Sequence, residues 1–295
     1  MSLKSEILIV YHANCVDGFT AAWCAYQKWG DKAEYAPFNN LGEKLEVDGR
    51  DVTFLDCCPK REQLLSFKAR AKSLTVLDHH ITNQKDCGDI EGCRFDLSKS
   101  GAMIAAEEYG IVTPRNTVPL LVQYVQDQDL WKMEMPSTRE IRASIMAEPF
   151  SFENWKVLCE EVENSRETKI IEGKAIIKSS QKEMDYLKAK IIPMRFCGYD
   201  QVPVVNMAHG DISSMLNEMA KTSPAGFAVA WHQAKEGVFK YSLRSCNSFD
   251  CAELASKEFG AGGHPKAAGF SAPGAPWNYP ERPSAFRQET PIGVK

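Results

Sequence analysis

The sequence predicts an α/β protein whose first half is built on a parallel sheet. Three observations predict it. Short apolar runs of strand length recur through the first 80 residues. Segments with helical spacing separate them and are long enough to be the crossovers that parallel strands need. Acidic and imidazole side chains stand at the carboxyl ends of those runs, where open parallel sheets carry their ligands.

Residues 6–12 (EILIVYH) form a continuous apolar run, suited to a strand buried on both faces. Residues 18–29 (GFTAAWCAYQKW) have helical spacing, and Gly30 stops them. Residues 33–38 and 51–56 (DVTFLD) read as strands, 61–72 as an amphipathic helix, and 73–78 (SLTVLD) as the fourth strand. Residues 100–163 read as mainly helical, clearest over 100–109 and 117–126. The charged stretch 166–190, with Ile170, Ile177 and Met184 seven apart, predicts a helix with one thin apolar stripe. It serves as a connector, and its six lysines read as a solvated face. A smaller α/β domain follows, with strands at 202–207, 226–232 and 238–243 and helices at 211–221 and 250–259. The expected division is 1–163, a connector at 164–190, a second domain at 191–272, and an extended Pro-rich tail at 273–295.

The chain has 295 residues, 44% of them hydrophobic and 25% charged, which suits a soluble globular protein and excludes disorder over most of its length. A net charge of −4 does not supply the basic surface that grips long duplex DNA. No apolar run reaches the ~18–20 residues of a membrane span, and the N-terminus carries no secretory signal. Ten scattered cysteines without a C-x-x-C pair suggest free thiols in a reducing cytoplasm.

Four clusters carry the chemistry: His12-Ala-Asn14-Cys15-Val-Asp17-Gly18, Asp56, Asp78-His79-His80, and Asp127-Gln-Asp129-Leu-Trp131. Taken singly, each has an ordinary reading as a cap, a turn or a core histidine. All four fall at element ends on one predicted edge. Carboxylates converging there without Lys or Arg repel one another and require positive charge. Divalent cations supply it, and a mixture of carboxylate and imidazole suits Mn²⁺, Fe²⁺ or Zn²⁺ better than Ca²⁺. Paired metals ~3.5–4 Å apart serve in-line displacement at phosphorus. In the second domain the glycine-dense stretch Gly260–Phe270 reads as a tight turn whose amides can meet an anion. Arg244 ends a strand and offers a guanidinium fork to a phosphate or carboxylate.

Asp78-His79-His80 after an apolar strand, with His12…Asp17-Gly18 before it and Gly262-Gly263-His264-x-x-Ala267-Ala268-Gly269 after it, resembles the DHH phosphoesterase superfamily. The resemblance is to members with the DHH-associated C-terminal domain, and spans about residues 6–272. It implies a parallel-sheet domain holding two divalent ions, Mn²⁺ foremost, a helical connector, and a smaller substrate-binding domain with a mixed sheet. The active site would lie in the cleft between the domains. It implies hydrolysis of a P–O bond by metal-bound hydroxide. Carried over by residue, His12, Asp17, Asp56, His79 and Asp127 would hold metal, with Asp56 bridging. Asp78 would orient His79, and His80 would reach the scissile phosphate. Ser100, Arg244, Gly262, Gly263 and His264 would hold substrate. Asp127 is preferred to Asp129 by its distance to Trp131. One departure stands out: Cys15 occupies a place where a carboxylate is expected, so either Cys15 ligates as a thiolate, or Asn14 contributes its carbonyl, or the first metal is held weakly.

The function expected is phosphodiester hydrolysis of short oligonucleotides or linear or cyclic dinucleotides to 5′-mononucleotides. Phosphoanhydride hydrolysis, of polyphosphate or pyrophosphate, is the alternative. A non-catalytic nucleotide-binding protein is the third reading. The partner would be a short nucleic acid or nucleotide, not long duplex DNA or a membrane, and a second copy of the chain is the one protein partner entertained.

Overall fold

The computed structural model describes residues 5–39, 44–114 and 116–281. Contacts divide the chain into two units, 1–177 and 178–295.

The first unit opens with β1 (Ile7–His12), α1 (Val16–Trp29), β2 (Ala33–Phe38), β3 (Asp51–Leu55), α2 (Arg61–Arg70), β4 (Ser73–Asp78), α3 (Ile81–Cys87) and β5 (Cys93–Phe95). The five strands form one parallel sheet in the order β2-β1-β3-β4-β5. Alternate residues serve opposite faces. Ile9, Leu55 and Leu77 join the core on one side, and Leu8, Val10, Val52, Phe54, Leu74 and Val76 join the core on the other. Continuous apolar runs are therefore what the fold needs, because both faces are covered.

Register sets the site. Tyr11 pairs with Leu55, and Leu55 with Leu77. The next residues, His12, Asp56 and Asp78, leave the sheet at one level, and Asp56 N–H still donates to the Leu77 carbonyl at 2.9 Å. Three central strands thus deliver their terminal side chains to one edge.

Helices α4 (Gly101–Tyr109), α5 (Leu120–Asp129), α6 (Thr138–Ala147) and α7 (Phe152–Asn164) follow. The predicted helix over 117–126 is displaced to 120–129. Pro119 is its N-cap, with a fixed φ of −53°, and Pro suits the start of a helix because it lacks the amide the first turn leaves unpaired. The shift carries Asp129 into the last turn. α8 (Arg166–Lys188) occupies the predicted connector, and the division between units falls inside it. Its apolar stripe is shared out: Ile170 belongs to the core of the first unit, Met184 to a core of the second, and Ile177 is exposed.

The second unit holds β6 (Met194–Phe196), β7 (Tyr199–Val202), β8 (Val204–Asn206), α9 (Ile212–Thr222), β9 (Phe227–Lys235), β10 (Val238–Ser245), α10 (Cys251–Phe259), β11 (Gly262–His264) and β12 (Ala267–Ala272). Five strands form a mixed sheet, ordered β11-β12-β10-β9-β8, with only β8 and β9 parallel. Residues 262–264, expected in a turn, are instead an edge strand paired with β12.

Residues 273–281, expected to open an extended tail, are instead packed on the second unit. Tyr241 Oη donates to the Gly274 carbonyl at 2.5 Å, Ala275 is buried, Cys197 N–H donates to the Tyr279 carbonyl at 2.7 Å, and Tyr279 packs on the core. The aromatic Trp277 and Tyr279 supply the contacts that a count of prolines overlooks. Residues 282–295 lie outside the described residues. All ten cysteines are free. Among the described residues no helix is long and apolar enough to cross a membrane.

Candidate metal centre

His12, Cys15, Asp17, Asp56, Asp78, His79 and His80 converge at the carboxyl edge of the sheet, as three overlapping donor groups. His12, Cys15 and Asp56 form one, Asp17, His79 and Asp129 another, and Asp56, Asp78, His79 and His80 a third, with the donor atoms of each within 4.8 Å of one another.

Local backbone explains how each side chain arrives. Asn14 takes φ of 56° and Asp56 φ of 58°, in the left-handed region that Asn and Asp enter more readily than other side chains. The turn at Asn14 leaves its own side chain exposed and sets Cys15 at the N-cap of α1, within reach of His12 and Asp56. α1 starts close against β1: a β-carbon on Gly18 would stand 2.5 Å from the His12 carbonyl oxygen.

Asp56 is buried and shared. Its Oδ2 stands 3.2 Å from His12 Nδ1, and its Oδ1 3.1 Å from His79 Nε2. The same His79 Nε2 stands 3.6 Å from Asp17 Oδ2 and 3.5 Å from Asp129 Oδ2. Asp17 sits at the N-terminus of α4, where the amides of Gly101 and Ala102 donate to its two oxygens at 2.7 and 2.9 Å. The unpaired amides and dipole of a helix N-terminus favour an anion there.

Asp78 is fully buried and serves a different partner from the one expected. Its Oδ1 accepts from His80 Nδ1 at 2.6 Å and from the backbone amides of His79 and His80, and its Oδ2 accepts from Asn83 Nδ2 at 2.7 Å. Asp78 thus orients the ring of His80 and touches only the backbone of His79. Its own side chain is fixed by Asn83, which lies one turn into α3 and carries no signal in the sequence beyond its nearness to the motif.

Asp127 does not join the cluster. Its carboxylate accepts from the amides of Glu134 and Met135 at 2.9 and 3.1 Å and from Thr138 Oγ1 at 2.5 Å, and so shapes the turn after α5. Residues two apart on a helix do not face the same way, so only one of Asp127 and Asp129 can face the sheet edge, and it is Asp129. Ser100 is likewise a structural residue: it is fully buried, and its hydroxyl accepts from Met103 N–H as the N-cap of α4. What this segment gives the site is the pair of amides on Asp17, a contribution invisible in side-chain chemistry.

Charge in the cluster is strained. Burial, then the charges of Asp56 and Asp129, push the Asp17 carboxyl well up, and burial raises Asp129. Burial works against the charged form of His79, but the contact with Asp56 and the charges of Asp17 and Asp129 override it and hold the imidazole up at about 9. Burial also opposes the Asp56 carboxylate, yet His12 and His79 hold it well below the usual range. Burial and the Asp56 and Asp17 charges push the Cys15 thiol up. Among the described residues no Lys or Arg pairs with Asp17, Asp56, Asp78 or Asp129; their basic neighbours are imidazoles. The donor set, carboxylate with imidazole, suits divalent first-row metals.

In the second unit, Arg244 Nη2 donates to Ser213 Oγ at 2.9 Å and its Nη1 to the Leu243 carbonyl at 2.8 Å. Burial depresses its pKa, and among the described residues no carboxylate forms an ion pair with it, so donors remain for an anion. His264, Ala267 and Arg244 align across β11, β12 and β10 and share one face, as do Gly262, Gly269 and Ser242. Gly263 aligns with the buried Ala268 and Leu243 on the opposite face. Gly262 and His264 are therefore brought to the face of Arg244, and Gly263 is not. Ser213 was not foreseen; its place behind the capping Asp211 of α9 is the signal that could have found it.

The first unit thus presents acid and imidazole at one edge of a parallel sheet, and the second unit is built on a mixed sheet. Residues 200–288 match the DHHA1 domain. The chain is 26% identical over 297 residues to an uncharacterized protein, R106, of Acanthamoeba polyphaga mimivirus, covering 90% of this chain and 68% of that one. RecJ of Thermus thermophilus, solved in complex with Mn²⁺, has a similar fold, with a TM-score of 0.53, 14% identity and coverage of 90% of this chain and 49% of that one. An exopolyphosphatase-related protein of Bacteroides fragilis is similar at a TM-score of 0.52 and 13% identity, over 91% of this chain and 87% of that one. The chain thus shares the fold of these solved structures, and its second unit carries the segment that matches the DHHA1 domain.

Proposed function

We propose that the chain hydrolyses phosphodiester bonds of short oligonucleotides or linear or cyclic dinucleotides, releasing 5′-mononucleotides, with two divalent ions, Mn²⁺ foremost. The observation that carries this reading is the sharing of Asp56, one oxygen toward His12 and the other toward His79. That arrangement suits a bridging carboxylate between two cations. His12, Asp17, Asp56, His79 and Asp129 would hold them. When bound, such ions supply Lewis acidity toward phosphoryl oxygen and make water more acidic.

The remaining steps belong to the side chains. His80 is tethered through Nδ1 to Asp78, which directs Nε2 outward and favours the protonated ring, since contact with Asp78 outweighs the burial that opposes it. A cationic His80 would donate to a phosphate oxygen and stabilise charge gathering there in the transition state. Asn83 and Asp78 hold that donor in place. Arg244 and His264 would bind a second phosphate or a terminal nucleotide, on a floor kept flat by Gly262 and Gly269. The net charge of −4 supports a short substrate over a long strand.

The test is a panel of dinucleotide, cyclic dinucleotide, pyrophosphate and polyphosphate with purified protein and Mn²⁺. Dinucleotide hydrolysis that is abolished in His79→Ala supports the reading. Turnover of phosphoanhydrides alone replaces it with the second reading, and no turnover of any substrate leaves a nucleotide-binding protein.

A further inference from the structure

The three donor groups are not chemically alike. Two offer only carboxylate oxygen and imidazole nitrogen, whereas His12, Cys15 and Asp56 offer nitrogen, sulfur and oxygen within 4.8 Å. Resting on the two-cation reading above, we propose that Cys15 is a metal ligand, and that the flank formed with His12 and Asp56 selects a thiophilic ion, zinc or iron(II), over magnesium or manganese. The other flank, of Asp17, His79 and Asp129, keeps the preference of oxygen and nitrogen donors for harder ions.

Several features place the sulfur for this role. The left-handed Asn14 turns the chain between His12 and Cys15, so both side chains return to one pocket. Cys15 is the N-cap of α1, beside His12 and Asp56. Cys15 is half-buried, so an ion can reach it. Cys57, the neighbour of Asp56 in sequence, is buried in the apolar core instead and belongs to none of the three groups. Soft thiolate donors select zinc and iron over magnesium and manganese, so a single sulfur among nitrogen and oxygen donors is enough to set the two flanks apart.

Cobalt(II) is the probe, because a thiolate bound to it gives a charge-transfer absorption in the near ultraviolet. The full chain would be stripped with a chelator and titrated with cobalt, with bound metal counted by mass spectrometry. Wild type is expected to show the band. Cys15→Ser should lose the band and one of the bound ions, and Cys57→Ser should keep both. Cys15→Asp should recover the ion without the band and shift competition toward Mn²⁺ by roughly tenfold or more. A chain that binds cobalt without the band, a band that survives in Cys15→Ser, or a chain that takes up no cobalt overturns the proposal. The band is read without substrate. A band in a protein that hydrolyses nothing therefore upholds the ligand and fails the phosphoesterase reading, while turnover without the band does the reverse.

Discussion

At the scale of single residues, the division of labour between Asp127 and Asp129 is open to experiment. Asp129→Asn should cost the Asp17/His79/Asp129 group its ion and lower kcat at least ~100-fold, a loss on the scale of one electrostatic stabiliser, while the metal-free chain melts no lower than wild type. Asp127→Asn should leave the donor atoms in place but weaken the turn after α5, costing roughly 1–3 kcal/mol in a urea titration, because a buried acceptor of several donors is disturbed. Proton competition gives a second prediction. His79 is held up at about 9 by Asp56, Asp17 and Asp129 against its burial. A cation must displace that proton, so affinity for Mn²⁺ should rise with pH until about 9 and then level off. Calorimetry in buffers of different ionisation heat should register proton release below that pH. Without metal, the raised His79 pKa contributes stability that is complete below the unfolded imidazole value of ~6.5 and lost as pH climbs through about 9. At this scale the sequence was informative about identity and poor about partnership. His12, Cys15, Asp17, Asp56, His79 and His80 all reach the cluster. The partners of Asp78, Asp127 and Ser100 depended on backbone turns that no residue pattern announces.

At the scale of elements, close packing between helices limits what the chain tolerates. A β-carbon on Gly101 would stand 2.5 Å from Asp56 Cβ, and α4 is held there by the same two amides that bind Asp17. Gly101→Ala should therefore lower metal affinity and kcat with the fold retained, seen as reduced Mn²⁺ content against an unchanged far-ultraviolet circular dichroism spectrum. A β-carbon on Gly173 would come within 1.9 Å of the Glu140 carbonyl oxygen. Backbone cannot yield as a flexible side chain does, so Gly173→Ala should destabilise the first unit by ~1–3 kcal/mol, the cost of overpacking, with metal content unaltered. The first four strands were legible as short apolar runs, and the three central ones, β1, β3 and β4, most clearly because both faces of the sheet are covered. β5 and β11 were not, being three residues each with no alternation to read. The start of α5 was misplaced because apolar spacing continues through residues 117–119, while Pro119 decides where hydrogen bonding can begin.

For the whole molecule, each unit has cores of its own: Ile9 to Ile170 and Leu8 to Ile90 in the first, Phe196 to Ala272 and Met184 to Ala230 in the second. All the candidate metal ligands belong to the first unit. Mn²⁺ should therefore raise the melting temperature of one calorimetric transition and leave the other where it was, since a ligand stabilises only the unit that binds it. A common shift of both would show that the units unfold together. The two-part organisation was legible from the change in composition near residue 191, but the boundary inside α8 was not, because a continuous helix gives no break in pattern where its core changes. Were two ions to share the Asp56 carboxylate, as proposed above, the first to settle would neutralise charge that the second would otherwise feel. Loading would then be a joint property of the pair, and a calorimetric titration of the stripped protein should resolve one tight and one weaker affinity.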